Sequence, residues 1–160
     1  MKRFLFVLVI VSVIAAGTVF ADHPGGFGIG VQGNFAWSNG AGSPGGALSL
    51  KLPSVPAFLA IDFSRGNWLG VAGDVYMMEG AVVPDINLDY YVGGGLYVAL
   101  RLADPIHFII AGRLPLGLSW HILEIFELYM QAVPYIGVYI GDDVGFHWSV
   151  AGNLGFRVWF

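Results

Sequence analysis

The last nine residues, Gly152-Asn153-Leu154-Gly155-Phe156-Arg157-Val158-Trp159-Phe160, alternate with a period of two. Leu154, Phe156, Val158 and Phe160 share one face, and Asn153, Gly155 and Arg157 share the other. Successive side chains of a strand point to opposite sides, so this segment reads as a strand with one apolar and one wet face. Chain ends in water usually fray into polar residues. A tail that stops on Phe160 and carries Arg157 among large apolar residues requires that the apolar face be covered by something other than water.

Composition says what covers it. The chain has 160 residues, of which 56% are hydrophobic and 11% charged, against about 25% charged in ordinary soluble domains. Past the N-terminus no run of about 18 uncharged apolar residues exists to form a spanning helix. The other structure that satisfies every backbone group in a bilayer is a closed β-barrel.

The N-terminus, MKRFLFVLVIVSVIAAGTVFA, has basic residues Lys2 and Arg3, an apolar run from Phe4 to Ala16 and a small-residue site ending at Ala21. It reads as a secretory signal peptide over residues 1–21, since the apolar run is short for a membrane anchor of about 20 residues. Residues 22–160 then form one domain. Losing Lys2 and Arg3 moves the formal net charge from −4 to −6, and no basic patch remains to suit a nucleic acid. The absence of cysteine excludes a disulfide framework, cysteine-zinc sites and thiol chemistry.

Alternation recurs in eight segments: 27–37, 46–52, 57–64, 68–78, 87–102, 106–118, 124–140 and 145–160. Between them lie turn-like stretches: SNGAGSPG, PSVP, SRGN, EGAVVPD, ADP, SWHI and GDD. The expected fold is all-β, an eight-stranded antiparallel up-and-down transmembrane barrel. Residues 121–133 also show helical spacing through Leu123, Phe126, Met130 and Val133, leaving a short helix as the alternative there. Pro134, which removes a ladder donor, predicts a bulge.

With each register set by its apolar residues, Lys51, Asp62, Asp74, Asp89, Arg101, Arg113, Glu127 and Arg157 all fall opposite the large apolar side chains. A lysine or arginine on the lipid face near the midplane costs about 2–4 kcal/mol, whereas inward charges can pair. Because an eight-stranded barrel is just wide enough for side chains to fill, these residues predict a charge network plugging the lumen, with Gln32, Asn34, Asn87, Gln131 and Asn153. Two aromatic girdles are expected outside: Trp37, Phe63, Phe146 and Trp148 toward one end, and Phe27, Tyr90, Trp120, Phe126 and Phe160 toward the end holding the termini.

The signal peptide, alternation, strand number and terminal aromatic together resemble the small outer-membrane barrels of the OmpA transmembrane-domain and OmpX type. More narrowly, ALSLKLPSVP, RLPLGLSW and GFRVWF resemble a largely uncharacterised family of spirochaete outer-membrane barrels. The resemblance implies that Leu154, Phe156, Val158 and Phe160 form the signal read by the outer-membrane assembly machinery, with periplasmic chaperones as transient partners. The four connections at the end away from the termini, near residues 38–45, 65–67, 103–105 and 141–144, are shorter than the OmpA type usually carries, and no peptidoglycan-binding domain follows the barrel.

Sites of chemistry are sparse. His147 and Ser149 in FHWSV resemble the His-x-Ser element of lipid A deacylases, yet their parity turns them inward, away from a lipid ester, and no acidic orienter lies in register. His23, His107 and His121 lack metal-ligand spacing, and GFGIG and VGGGLY do not join a strand to a helix as phosphate loops do. Two carboxylates in GDD are too few for a calcium cage. The reading is a monomeric, non-enzymatic outer-membrane barrel with a filled lumen and a structural or surface-interaction role, without cofactor, metal or nucleic acid, with lipid around it and an unknown extracellular partner as a possibility left open. A narrow solute pore is the second alternative, and a lipid-modifying enzyme the third.

Overall fold

The computed structural model describes residues 26–38, 41–52, 57–64, 67–123 and 125–160. The proposed signal peptide, the start at Asp22, His23 and the PSVP turn lie outside these residues, as does the centre of SRGN.

Among the described residues the strands are β1 (Gly28–Ser38), β2 (Ala41–Lys51), β3 (Ala57–Ser64), β4 (Trp68–Val83), β5 (Leu88–Arg101), β6 (His107–Arg113), β7 (Leu116–His121), β8 (Phe126–Ile140) and β9 (Val144–Trp159). All pairings are antiparallel, and the sheet closes through β4 on β5 and β1 on β9. Both β6 and β7 lie between β5 and β8. They are two halves of one wall, so the ring has eight staves. Closure gives each stave two neighbours, so that the ladders pair backbone groups around the ring without water.

Proline explains the divided stave. Pro115 and Pro134 lack N–H donors and lie one residue out of step with each other where β6 gives way to β7, Pro134 falling opposite Leu114, so the segment 106–118 is interrupted at residues 114–115. The stave does not slip. Leu114 N donates to the Pro134 carbonyl at 3.1 Å and Gly93 N to the Pro115 carbonyl at 2.8 Å. β8 runs opposite β9 in unbroken register through Pro134, which overturns the expected bulge there.

The bulges are in β4 instead. Its register against β5 shifts between Tyr76 and Met78 and again between Ala81 and Val83. Each inserts one residue and locally turns the strand. Before the first bulge Asp74 and Tyr76 point inward; after it Glu79 does. The segment EGAVVPD is therefore mostly strand, and the turn is the short 3-10 helix Pro84–Ile86 with Asn87 in the left-handed region at φ 54°.

Two further turns are displaced. β2 begins at Ala41, so most of SNGAGSPG is strand, and Ser119 to His121 belong to β7 rather than to a turn. From Phe126 onward the ambiguous segment is β-strand, not helix. ADP and GDD do lie in connections.

The chain end is paired: Phe27 and Phe160 exchange backbone hydrogen bonds at 3.2 and 3.1 Å, with ring centroids 5.5 Å apart. Beside them, inward Gly28 and Gly30 make room for Arg157. A Cβ at Gly30 would fall onto the Phe156 carbonyl and within 2.8 Å of the Arg157 Cα, whereas one at outward Gly33 would meet nothing within 4 Å. Gly30→Ala is accordingly expected to abolish the compact, heat-modifiable band on electrophoresis after refolding into vesicles, and Gly33→Ala to leave it intact. Equal behaviour of the two would show that the β1–β9 seam is not as close as described.

Candidate functional site: the lumen

The interior divides into two halves. In the half near the termini, Glu127 on β8 and Arg157 on β9 are direct cross-strand neighbours. Arg157 Nη1 donates to Glu127 Oε1 at 2.6 Å, and Arg157 is 0% exposed. Ser119 Oγ donates to the same oxygen at 2.8 Å, and Trp159 Nε1 donates to Oε2 at 3.0 Å. The guanidinium lies 3.8 Å from the Tyr129 ring centroid and 5.0 Å from that of Phe58. A buried carboxylate that accepts from an arginine, a hydroxyl and an indole has its lone pairs well used, which offsets its desolvation.

Two more cations are held in the same way. Lys51 Nζ is 3.8 Å from Glu79 and lies over the Tyr76 and Trp159 rings at 4.7 and 5.6 Å. Arg113 Nε is 2.9 Å from Asp74, with its guanidinium 5.1 Å from the Tyr135 ring. Arg157, Lys51 and Arg113 thus each have a carboxylate and at least one aromatic face. Cation–π attraction is worth about 2 kcal/mol or more where water is excluded.

The eight strand charges singled out in the sequence are placed unevenly. Lys51, Asp74, Arg113, Glu127 and Arg157 are buried inside. Asp62 and Arg101 are half-buried. Asp89 is near the rim, 41% exposed at its side chain and 3.9 Å from His121. Arg101 approaches His107, which is 3.8 Å from Asp142 at the opposite rim. Glu79 was hidden from sequence reasoning because the bulge beside Met77 turns it inward. Trp159 escaped notice because an indole among apolar residues carries no mark of its hydrogen bond.

A lumen filled from end to end does not hold. The half away from the termini contains a cavity of about 510 Å³ lined by residues that include Asn34, Asp62, Tyr97, Tyr135, His147 and Ser149. Inward Gly145 also lines it, and a Cβ added there would meet nothing within 4 Å. His147 and Ser149 share its wall, but no hydrogen bond joins them. Above the plug, Tyr129 Oη donates to Gln32 at 2.9 Å, Gln32 donates to Asn34 at 2.7 Å, and Asn34 donates to Asp62. This file of donors ends on the Asp62 carboxylate in the vestibule.

Outside, the aromatics face away from the lumen: Trp37, Phe63, Phe146 and Trp148 at the vestibule end, and Phe27, Tyr90, Trp120, Phe126 and Phe160 at the other, are all exposed. Trp120 Nε1 also donates to the Ile86 carbonyl at 2.9 Å, bracing the β4–β5 turn. Leu154, Phe156 and Phe160 are likewise exposed and Val158 half-buried on the same face.

Solved structures share this architecture. The N-terminal β-barrel domain of Pseudomonas aeruginosa OprF matches with a TM-score of 0.50 and 16% identity, over 81% of this chain and 96% of that one. Neisserial surface protein A (NspA) matches with a TM-score of 0.52 and 14% identity, over 84% and 96%. The fold is that of an eight-stranded outer-membrane β-barrel. At such identities the likeness is one of fold. No family model and no curated protein matches the chain, and the narrower resemblance to spirochaete barrels finds no support in these comparisons.

Removing one partner of the plug leaves a buried charge alone. Arg157→Met or Glu127→Leu is each expected to lose about 3–5 kcal/mol of stability, read by denaturant unfolding in lipid vesicles. The double variant is expected to recover most of the loss. Simple addition of the two losses would show that the residues do not act as a pair.

Proposed function

We propose that this protein is a monomeric outer-membrane barrel with a structural or surface-interaction role, and that its lumen does not conduct. The observation that carries the reading is the fully buried Arg157, bonded to Glu127 and wedged between the Tyr129 and Phe58 rings, with Lys51 and its partners beside it. Large buried side chains, with Arg157 and Lys51 each beside a carboxylate, occupy the half of the barrel near the termini.

Export through residues 1–21, insertion by the outer-membrane assembly machinery through Leu154, Phe156, Val158 and Phe160, and transient chaperone contact belong to the same proposal. The outward apolar residues and two aromatic rings of the exterior support it. A non-enzymatic role is supported by His147 and Ser149 lining the vestibule without a bond between them, on the opposite side of the wall from a lipid ester.

Purified protein in planar bilayers is expected to give no reproducible conductance steps; steps that scale with protein and survive repurification would favour the solute pore instead. Val150→Arg, outward at the middle of β9, is expected to cost about 2–4 kcal/mol in vesicle unfolding. A neutral effect would mean that this face does not meet hydrocarbon.

A further inference from the structure

The barrel interior repeats one arrangement: a carboxylate, a cation and an aromatic ring. Glu127 with Arg157 and Tyr129, Glu79 with Lys51 and Tyr76, and Asp74 with Arg113 and Tyr135 complete it. Asp62 lines the same cavity as Tyr97 and Tyr135 but has no described cation within ion-pair distance: Arg113, which acts on it only from farther away, is bound to Asp74. Among the described residues no cationic side chain forms an ion pair with it; its partner is the Asn34 amide.

The surroundings of Asp62 are cleared rather than filled. Its cross-strand neighbours are Ala47 and Gly70, and the Tyr97 ring lies over Gly70, which has no room for a Cβ on that side. Tyr97 packs edge-on to Tyr135 with centroids 5.3 Å apart. Asp62, Tyr97 and Tyr135 all line the 510 Å³ cavity, a volume within the usual range for small-ligand sites of about 300–1,000 Å³. The donor file from Tyr129 through Gln32 and Asn34 delivers an N–H to the Asp62 carboxylate.

We propose that the vestibule binds a small organic ammonium cation, held by the Asp62 carboxylate against the Tyr97 and Tyr135 rings. Such a ligand supplies the charge that the other three arrangements obtain from Arg157, Lys51 and Arg113. A compact ammonium can pair with the carboxylate at one side and lie on ring faces at the other, as Lys51 does between Glu79 and Tyr76. The ammonium can be free or the head of a lipid, and the two sources differ by an attached phosphodiester.

The test is calorimetric titration of the folded full-length mature barrel in a maltoside detergent, which carries no ammonium of its own, with choline chloride as probe. Saturable one-to-one binding is expected, with at least tenfold weaker affinity for 3,3-dimethylbutan-1-ol, the uncharged isostere. Asp62→Asn is expected to reduce choline affinity at least tenfold, while Asp85→Asn, at the far turn, leaves it unchanged. Gly145→Trp is expected to block binding by occupying the open vestibule, with the heat-modifiable band retained as proof of folding. Glycerophosphocholine binding more tightly than choline would place the ammonium on a lipid head, and weaker binding would identify a free cation. Equal affinity for choline and its isostere, undiminished binding by folded Asp62→Asn, or no choline binding by the folded protein would overturn the proposal.

Discussion

The buried contact between Arg157 and Glu127 constrains the rest of the barrel. Two opposite charges removed from water must satisfy each other and nearly all of their remaining hydrogen-bonding capacity, or the desolvation penalty prevails. The carboxylate meets that demand, since Ser119 and Trp159 donate to it; the guanidinium, beyond its bond to Glu127, is covered by the Tyr129 and Phe58 rings rather than fully hydrogen-bonded, and Gly28 and Gly30 keep the facing strand close. β1, β3, β7, β8 and β9 all contribute to this one cluster. Its geometry therefore depends on closure of the ring, and it in turn ties the chain's last strand to the first.

The same solution, repeated at Lys51 and at Arg113, grades the lumen from a tight plug near the termini to an open vestibule. A narrow barrel has little interior volume, so wherever large side chains pair across it the space is consumed. Where β1, β2 and β9 contribute Ser38, Gly45, Ser43 and Gly145 instead, volume remains. The line of donors from Tyr129 to Asp62 joins the two regions, since Tyr129 both covers Arg157 and begins the file. Plug and vestibule are parts of one polar network with its acceptor end exposed to the cavity.

Much of the fold was legible in the strand pattern. A half-buried strand imposes a period of two, and segments such as Phe27 to Trp37 or Gly145 to Phe160 obey it whatever their partners are. The inward placement of Lys51, Asp74, Arg113, Glu127 and Arg157 follows from that period and from the cost of charge in lipid. Element ends were less legible: β2 extends back to Ala41 through glycine, serine and Pro44, residues that ordinarily mark turns but are accepted in a wall whose neighbours supply the pairing. The bulges at Met77 and Val82 were invisible, because each inserted residue is apolar and breaks no hydrophobic run. Glu79 consequently read as part of a turn. Pro134 reads as a bulge, yet its missing donor is accommodated opposite Leu114, beside the break at Pro115, an arrangement that requires the three-dimensional register.

Sequence by itself determined the class of structure and the inward side of Lys51, Asp74, Arg113, Glu127 and Arg157, though not of Glu79, because both follow from local alternation and from the solvent that an apolar face requires. Only the tertiary structure decided which charges meet, since Glu127 and Arg157 are 30 residues apart and Tyr129 reaches Gln32 across 97. It also decided where the lumen is full and where it is empty. Such volume is a property of side chains from many strands converging on one space, and no single segment carries it.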